Sequence, residues 1–321
     1  MPYLLGMKYC LVILCLWFPL ILCAQEGRIV FWNVENAFDT IDHPNKKDDE
    51  YTPQGFRHWN SYKYRTKIRH LAQVIAAIGT GDPPMLVGLC EVENRQVLFD
   101  LTHNSILRKV GYQIIHFETA DARGIDPAFL YDPNQIQVFD SGIVPYIYEN
   151  DSLRHSLWIA GRTNRNDTLL CFMHHWPSKY SGEITTAPKR KYVAEKWSEK
   201  IDSFRLIFPG TLILGGGDFN DEAESESIQL LLRLQADFVC LGSELKGGTH
   251  KFREKWSLID LIFMDRNWAE KNNCRQIIFN NEFLLKDDAR YLGQIPFRTF
   301  YGFSYLGGYS DHLPIYVDIY K

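Results

Sequence analysis

The side chains best suited to chemistry stand where apolar runs end. Gly215-Gly216-Gly217-Asp218-Phe219-Asn220-Asp221 follows Thr211-Leu212-Ile213-Leu214, a run that reads as a buried strand. Asp218 and Asn220 lie one residue apart, so extended backbone would send a carboxylate and an amide to one face. The three glycines leave the backbone free to turn or to approach a ligand. An aspartate and an asparagine after a strand also make an ordinary capped turn, so this stretch says little by itself. The same pattern recurs. Asn33 ends Arg28-Ile29-Val30-Phe31-Trp32, Glu91 ends Pro84–Leu89, and His174 and His175 end Thr168–His174. Asp260 lies inside Ser257–Phe263, and Asp311 and His312 precede the last apolar run. Asp260, flanked by leucine and isoleucine, would be costly to bury without a partner.

This set is what phosphoester cleavage requires. A hard cation such as Mg2+ takes one or two carboxylates, keeps several waters and binds phosphate. A nearby group orients or deprotonates the attacking water. Donors and metal gather around the charge that develops on phosphorus oxygens. Glu91 with Asn33 suits the metal. Asp218, Asn220, His175 and His312 suit the water and the phosphate. Asp260 could fix the tautomer of His312.

The elements that must position these groups alternate between helix and strand. Tyr64, Ile68, Leu71, Ile75 and Ile78 repeat at spacings of four and three and predict a helix stopped by Gly79 and Gly81. A second helix is expected over about 95–109. Pro188 is expected to open a third, with Val193, Trp197, Ile201 and Phe204 inward. A short fourth is expected near 225–234. Strands are expected near 112–118, 128–131, 136–144, 157–163, 168–174, 256–264 and 313–320, and residues 39–60 as a long surface loop. No repeat or linker divides the chain, which predicts one α/β domain of stacked layers. Ligands of such folds sit at strand ends.

The 321 residues are 45% hydrophobic and 23% charged, enough for a sizeable core. The net charge of −4 argues against non-specific binding of polyanions and for an anionic substrate held by a metal and a few local cations. Lys8, the apolar run Cys10–Leu22 and Cys23-Ala24-Gln25 have the layout of a secretory signal cleaved after Ala24. Residues 1–24 are therefore expected to be a leader and 25–321 the domain, giving an exported protein, periplasmic or secreted. Leu22 before Cys23 disfavours lipid anchoring there. Of seven cysteines, Cys90, Cys171, Cys240 and Cys274 lie beyond the leader. They lack metal-ligand spacing, and Cys90 and Cys171 read as buried thiols.

Phe31-Trp32-Asn33-Val34, Leu89-Cys90-Glu91, His174-His175-Trp176-Pro177-Ser178, Gly217-Asp218-Phe219-Asn220-Asp221, Ile259-Asp260 and Ser310-Asp311-His312 occur in that order. Together they resemble the endonuclease/exonuclease/phosphatase superfamily, the deoxyribonuclease I-like proteins, over roughly 28–320. The resemblance implies a four-layer sandwich, two mixed β-sheets packed face to face and flanked by helices. It implies Mg2+, with Mn2+ or Ca2+ as substitutes, held by Glu91 with Asn33 beside it and Asp311 on the metal side. It also implies Asp218 and Asn220 at the water and scissile phosphate, His312 held by Asp260, and His175 on the phosphate or leaving group. Many members carry asparagine where His174 stands, and abasic-site enzymes carry aspartate where Glu35 stands.

Lys179, Lys189 and Arg190 follow the histidine motif and are expected to hold phosphate, as is Arg298 in the aromatic stretch 295–309. Trp59, Tyr62 and Lys63 are expected on the opposite rim. The leading expectation is a monomeric Mg2+-dependent phosphodiesterase acting on nucleic acid, with no protein partner. The alternatives are a phosphatase or a sphingomyelinase-like lipid phosphodiesterase on the same scaffold, or an inactive surface-binding relative.

Overall fold

A computed structural model describes residues 25–119 and 121–320; the expected leader, residues 1–24, lies outside them. In chain order the main elements are β1 (Gln25–Ala37), α1 (Ser61–Gly79), β2 (Leu86–Val92), α2 (Arg95–His103), β3 (Gln113–His116), β4 (Asp126–Tyr131), β5 (Ile136–Tyr148), β6 (Asp151–Thr163) and β7 (Thr168–His175). There follow α3 (Glu183–Ile207), β8 (Leu212–Asp218), α4 (Glu226–Leu234), β9 (Phe238–Cys240), β10 (Asp260–Asp265), α5 (Arg266–Asn272), β11 (Gln276–Ile278) and β12 (Ile315–Tyr320). They build two six-stranded mixed sheets, ordered β11-β12-β1-β2-β4-β3 and β5-β6-β7-β8-β10-β9.

Alternation along the strands sorts the core into three slabs. Ile29 and Phe31 of β1 face inward and meet Cys171 and Met173 of β7 and Leu214 of β8, between the sheets. Val30 and Trp32 point outward and pack under Ile68, Leu71 and Ile75 of α1. Phe172 of β7 points outward on the other sheet, against Trp197, Ile201 and Phe204 of α3. The order is helix, sheet, sheet, helix, as expected.

Each sheet holds one parallel pair, β1 with β2 and β7 with β8, and each pair is joined through a helix, α1 or α3. A parallel pair aligns the carboxyl ends of its strands. Asn33, Glu91, His175 and Asp218 occupy the ends of those four strands, so the topology alone delivers them to one edge of the sandwich.

The glycine run serves packing. All of Leu212–Asp218 is strand. A Cβ on Gly216 would fall 2.5 Å from the Phe31 ring of the other sheet, and one on Gly215 would fall 2.5 Å from Trp197. The close approach is to side chains of the core and not to a ligand. Gly217 alone carries a left-handed φ, +134°.

Several boundaries differ from expectation; the β5–β6 hairpin, for one, runs on to Tyr148 and starts back at Asp151. α3 begins at Glu183, with Pro188 inside its second turn. The carbonyl that Pro188 leaves without a partner is that of Ile184, a solvent-exposed residue, so water can satisfy it. The second helix ends at His103, and 106–109 is a 3-10 turn. The stretch 256–264 divides into a hairpin strand, Lys255–Ser257, and β10, which starts at Asp260. The 39–60 segment is less superficial than expected: Tyr51 and Trp59 are buried with Phe38, Ile125 and Phe300. Cys90, Cys171 and Cys240 are buried thiols, and Cys274 is buried as well. Among the described residues no helix is long and apolar enough to cross a membrane.

Candidate active site

The four strand ends open into a cleft of about 750 Å3 lined by Asn33, Asn36, Glu91, Arg154, His175, Asp218, Asn220, His250, Asp311 and His312. Larger by volume is a groove of about 980 Å3 between α1 and α2. It holds none of the candidate catalytic or metal-binding residues, and chemistry, not size, identifies the site.

Asn33 ties the two sheets together. Its Nδ2 donates to Glu91 Oε1 at 3.2 Å and to Asp218 Oδ2 at 3.1 Å. Its Oδ1 accepts the Glu35 amide at 3.0 Å. The amide therefore turns its nitrogen to the carboxylates and positions them; its oxygen is engaged elsewhere. Glu91 Oε2 accepts the backbone N–H of Asn36 at 2.9 Å. Glu35, Asn36, Glu91 and Asn220 all have φ between 51° and 66°. Left-handed backbone is unfavourable for glutamate, is better tolerated by asparagine, and collects at working sites; Asn36, Glu91 and Asn220 line the cleft, and Glu35 adjoins Asn36.

Asp218 and Asp260 face each other across the β8–β10 register. His312 Nδ1 lies 2.8 Å from Asp260 Oδ2, and Thr249 Oγ1 donates to the same oxygen. His312 Nε2 is then 3.8 Å from Asp218 Oδ2. The loop before β12 is anchored to the neighbouring strand β1: Ser310 Oγ donates to the Asn33 carbonyl at 2.7 Å, and Trp32 Nε1 to the His312 carbonyl at 2.9 Å. Asn220 closes an Asx turn by giving its N–H to Asp218 Oδ1 at 2.9 Å, so the capped turn and the site coexist.

Burial raises the Asp218 carboxyl to about 6, partly opposed by His312. Burial alone would lower His312, but Asp260 and Asp218 outweigh it and hold the imidazole well above its usual value. His175 goes the other way: burial, then Arg154 and Arg123, keep it well below the ordinary range. Its Nε2 sits 2.6 Å from Arg154 Nη1, 3.6 Å from Glu91 and 3.8 Å from Asp218. His175 is thus a neutral acceptor wedged between a guanidinium and two carboxylates. His174 lies on the opposite face of β7, ringed by Phe172, Trp176, Trp197 and Phe219, with Ser156 Oγ 2.6 Å from Nδ1.

Three of the four expected phosphate cations are elsewhere. Arg190 is fully buried in ion pairs with Asp221 at 2.6 Å and Glu183 at 2.5 Å. Lys179 pairs with the same Asp221 at 2.8 Å. Both knit the start of α3 to the turn after β8. Arg298 pairs with Asp311 at 2.6 Å and approaches Glu35 at 3.5 Å, while Glu35 accepts the Thr299 and Phe300 amides. It stitches the 295–309 loop to the site without lining the cleft. Asp311 reaches the cleft on the His250 side, with one oxygen held by Arg298. Trp59 is buried against Phe300 and Tyr305, so the two expected rims are one cluster. Lys189 does line the cleft, paired with Asp151.

Arg154 is the group that sequence reading missed. It stands in Leu153-Arg154-His155-Ser156, the polar first half of β6, outside the strand expected at 157–163, so no local signal marked it. It reaches the Trp176 carbonyl at 3.1 Å and Asp121 at 3.6 Å, with Arg123 nearby in the cleft wall.

A divalent cation fits this donor set. Glu91 and Asp218 bring hard carboxylate oxygens to one nitrogen's reach, and the cleft has room for waters and a phosphate. Asp218, Asp260 and His312 also hold ligand atoms within 4.8 Å of one another, as do His250, Asp311 and His312.

A four-layer sandwich with acids, imidazoles and a guanidinium at the ends of its parallel strands has the make-up of a phosphoester hydrolase. The chain belongs to the Endonuclease/Exonuclease/phosphatase family, whose model matches residues 28–321, and it is a hydrolase of phosphate esters. Similar solved structures include a mannosyl-6-phosphatase from Bacteroides thetaiotaomicron, 15% identical, TM-score 0.61, covering 91% of this chain and 98% of that one. TDP2 from C. elegans is 12% identical, TM-score 0.60, covering 92% and 75%. The catalytic domain of human Nocturnin with a bound sulfate anion is 14% identical, TM-score 0.55, covering 92% and 94%. At these identities the likeness is one of fold. No curated protein sequence matches the chain.

Proposed function

We propose that residues 1–24 are a cleaved leader and that the exported domain, 25–321, is a Mg2+-dependent hydrolase of compact phosphate esters. The observation that carries this is the Asn33 bridge, which sets Glu91 of one sheet and Asp218 of the other around a single point. Glu91 would hold the cation, which when bound supplies charge neutralisation at the phosphate. Asp218 accepts the proton of the attacking water. His312, fixed by Asp260, donates to a phosphate oxygen, and Asn220 borders the same space. Arg154 offers the cleft a guanidinium for the phosphate, with His175 as its acceptor.

The locked state of Lys179, Arg190 and Arg298 favours a small substrate over a long polyanion. The B. thetaiotaomicron relative is named for a phosphosugar, which agrees. Nucleic acid is the second reading. It is favoured by Phe56, Tyr301 and Phe303, exposed rings available for stacking. The test is turnover of phosphosugars, nucleotides, oligonucleotides, sphingomyelin and inositol phosphates with Mg2+ and with chelator. Metal-dependent release from phosphosugars or mononucleotides is expected. Turnover of oligonucleotides alone would favour the second reading, and hydrolysis insensitive to chelator would overturn the metal.

A further inference from the structure

The end of β3 and the start of β4 bring together three ligand-type side chains that the cleft does not use. The imidazole of His116, the carboxylate of Glu118 and that of Asp126 present ligand atoms within 4.8 Å of one another. His116 Nε2 and Asp126 Oδ2 are buried and have no hydrogen-bond partner, and their side chains are 3% and 0% exposed. They can form an ion pair when His116 is protonated, but with a neutral imidazole neither buried atom is paired, which interiors avoid. They stand 3.4 Å apart. Two ligands at roughly 2.0–2.1 Å from a tetrahedral zinc are about 3.3 Å apart, so the pair is spaced for one ion between them. The other oxygen, Asp126 Oδ1, takes the N–H and hydroxyl of Thr119, which fixes the carboxylate and turns Oδ2 toward His116. Glu118 is exposed and free to swing in, and Lys46, 4.0 Å from it, is already engaged by the Thr119 and Asp121 carbonyls.

We propose that His116, Glu118 and Asp126 form a second metal site, separate from the catalytic cleft, that takes Zn2+ or a similar N/O-binding cation. His155 of β6, a strand that packs against β4, also has a buried Nδ1 without a hydrogen-bond partner. The site would close the base of the 117–125 loop. The far part of that loop carries Asp121 and Arg123 into the cleft wall, where Asp121 meets Arg154. An ion here would brace the loop without touching substrate.

The test is to count zinc on the full domain by equilibrium dialysis, with Mg2+ in excess, for the natural protein and for His116→Ala. The natural protein should hold one more zinc than the variant. Zinc should also raise its Tm, and that rise should be absent in the variant. Co2+ should give visible absorption bands that His116→Ala loses. Equal zinc counts in the two folded proteins would overturn the site. If His116→Ala does not fold, Glu118→Gln, at an exposed position, decides: zinc binding weakened by about tenfold or more supports the site, and unchanged affinity overturns it.

Discussion

His174 and His175 leave β7 on opposite faces, and one step along the chain separates an aromatic pack from a charged cleft. Both are buried, at 0% and 4% exposure, and burial lowers the proton affinity of both. They differ in their partners. His174 has rings and one hydroxyl around it; His175 has Arg154, Glu91 and Asp218. Burial of a histidine therefore says nothing about chemistry here, and the charges within 4 Å say a good deal.

The widest separation between the faces is expected at Asp218, a carboxylate within 4 Å of both His175 and His312. Asp218→Asn should lower kcat on a phosphoester by about 10⁴-fold, near the upper end for loss of a proton acceptor, with native circular dichroism. His175→Ala should cost about 10³-fold, whereas His174→Asn should stay within tenfold of the natural rate; similar losses in the two histidine variants would break the distinction. Arg190→Ala tests a buried charge on the inert side. It should destabilise by about 3 kcal/mol, because Asp221 and Glu183 lose their partner, and leave KM unchanged. A raised KM with normal stability would return Arg190 to the substrate.

The smallest effect concerns acid. Burial lowers His174 to about 3 from an ordinary value of 6.5. Its folded-state pKa is depressed, so its share of stability is complete above pH 6.5 and drains away as pH falls from there toward 3. The unfolded chain binds that proton first, which adds a slope of about 1.4 kcal/mol per pH unit. His174→Asn should remove that slope between pH 6 and 4 in urea titrations. An unchanged slope would mean that His174 is not held neutral.

Much of this arrangement was legible because strands obey a period of two. Polar residues ending apolar runs marked Asn33, Glu91, His175 and Asp218, and Asp260 stood out as a carboxylate in an apolar segment. What resisted was pairing between distant segments. Lys179 and Arg190 look like phosphate ligands until the turn after β8 brings Asp221 against them, and nothing local shows that Arg298 will meet Asp311 and Glu35. Trp59 reads as a surface ring because its loop is polar, yet Phe38, Tyr51 and Phe300 bury it. The glycine run reads as room for a turn or for a ligand's approach, yet the neighbours of Gly216 and Gly215 are Phe31 and Trp197.

The most direct measurement is the Mg2+ dependence of hydrolysis of an unselective chromogenic phosphoester by the natural protein and by Glu91→Gln. Glu91 belongs to one sheet and Asp218 to the other, and a cation shared by both requires that weakening the first weakens the metal. The apparent Mg2+ affinity should fall at least about tenfold in the variant, with turnover partly restored at high Mg2+. An unchanged metal dependence with full activity would contradict a site assembled from both sheets around one ion.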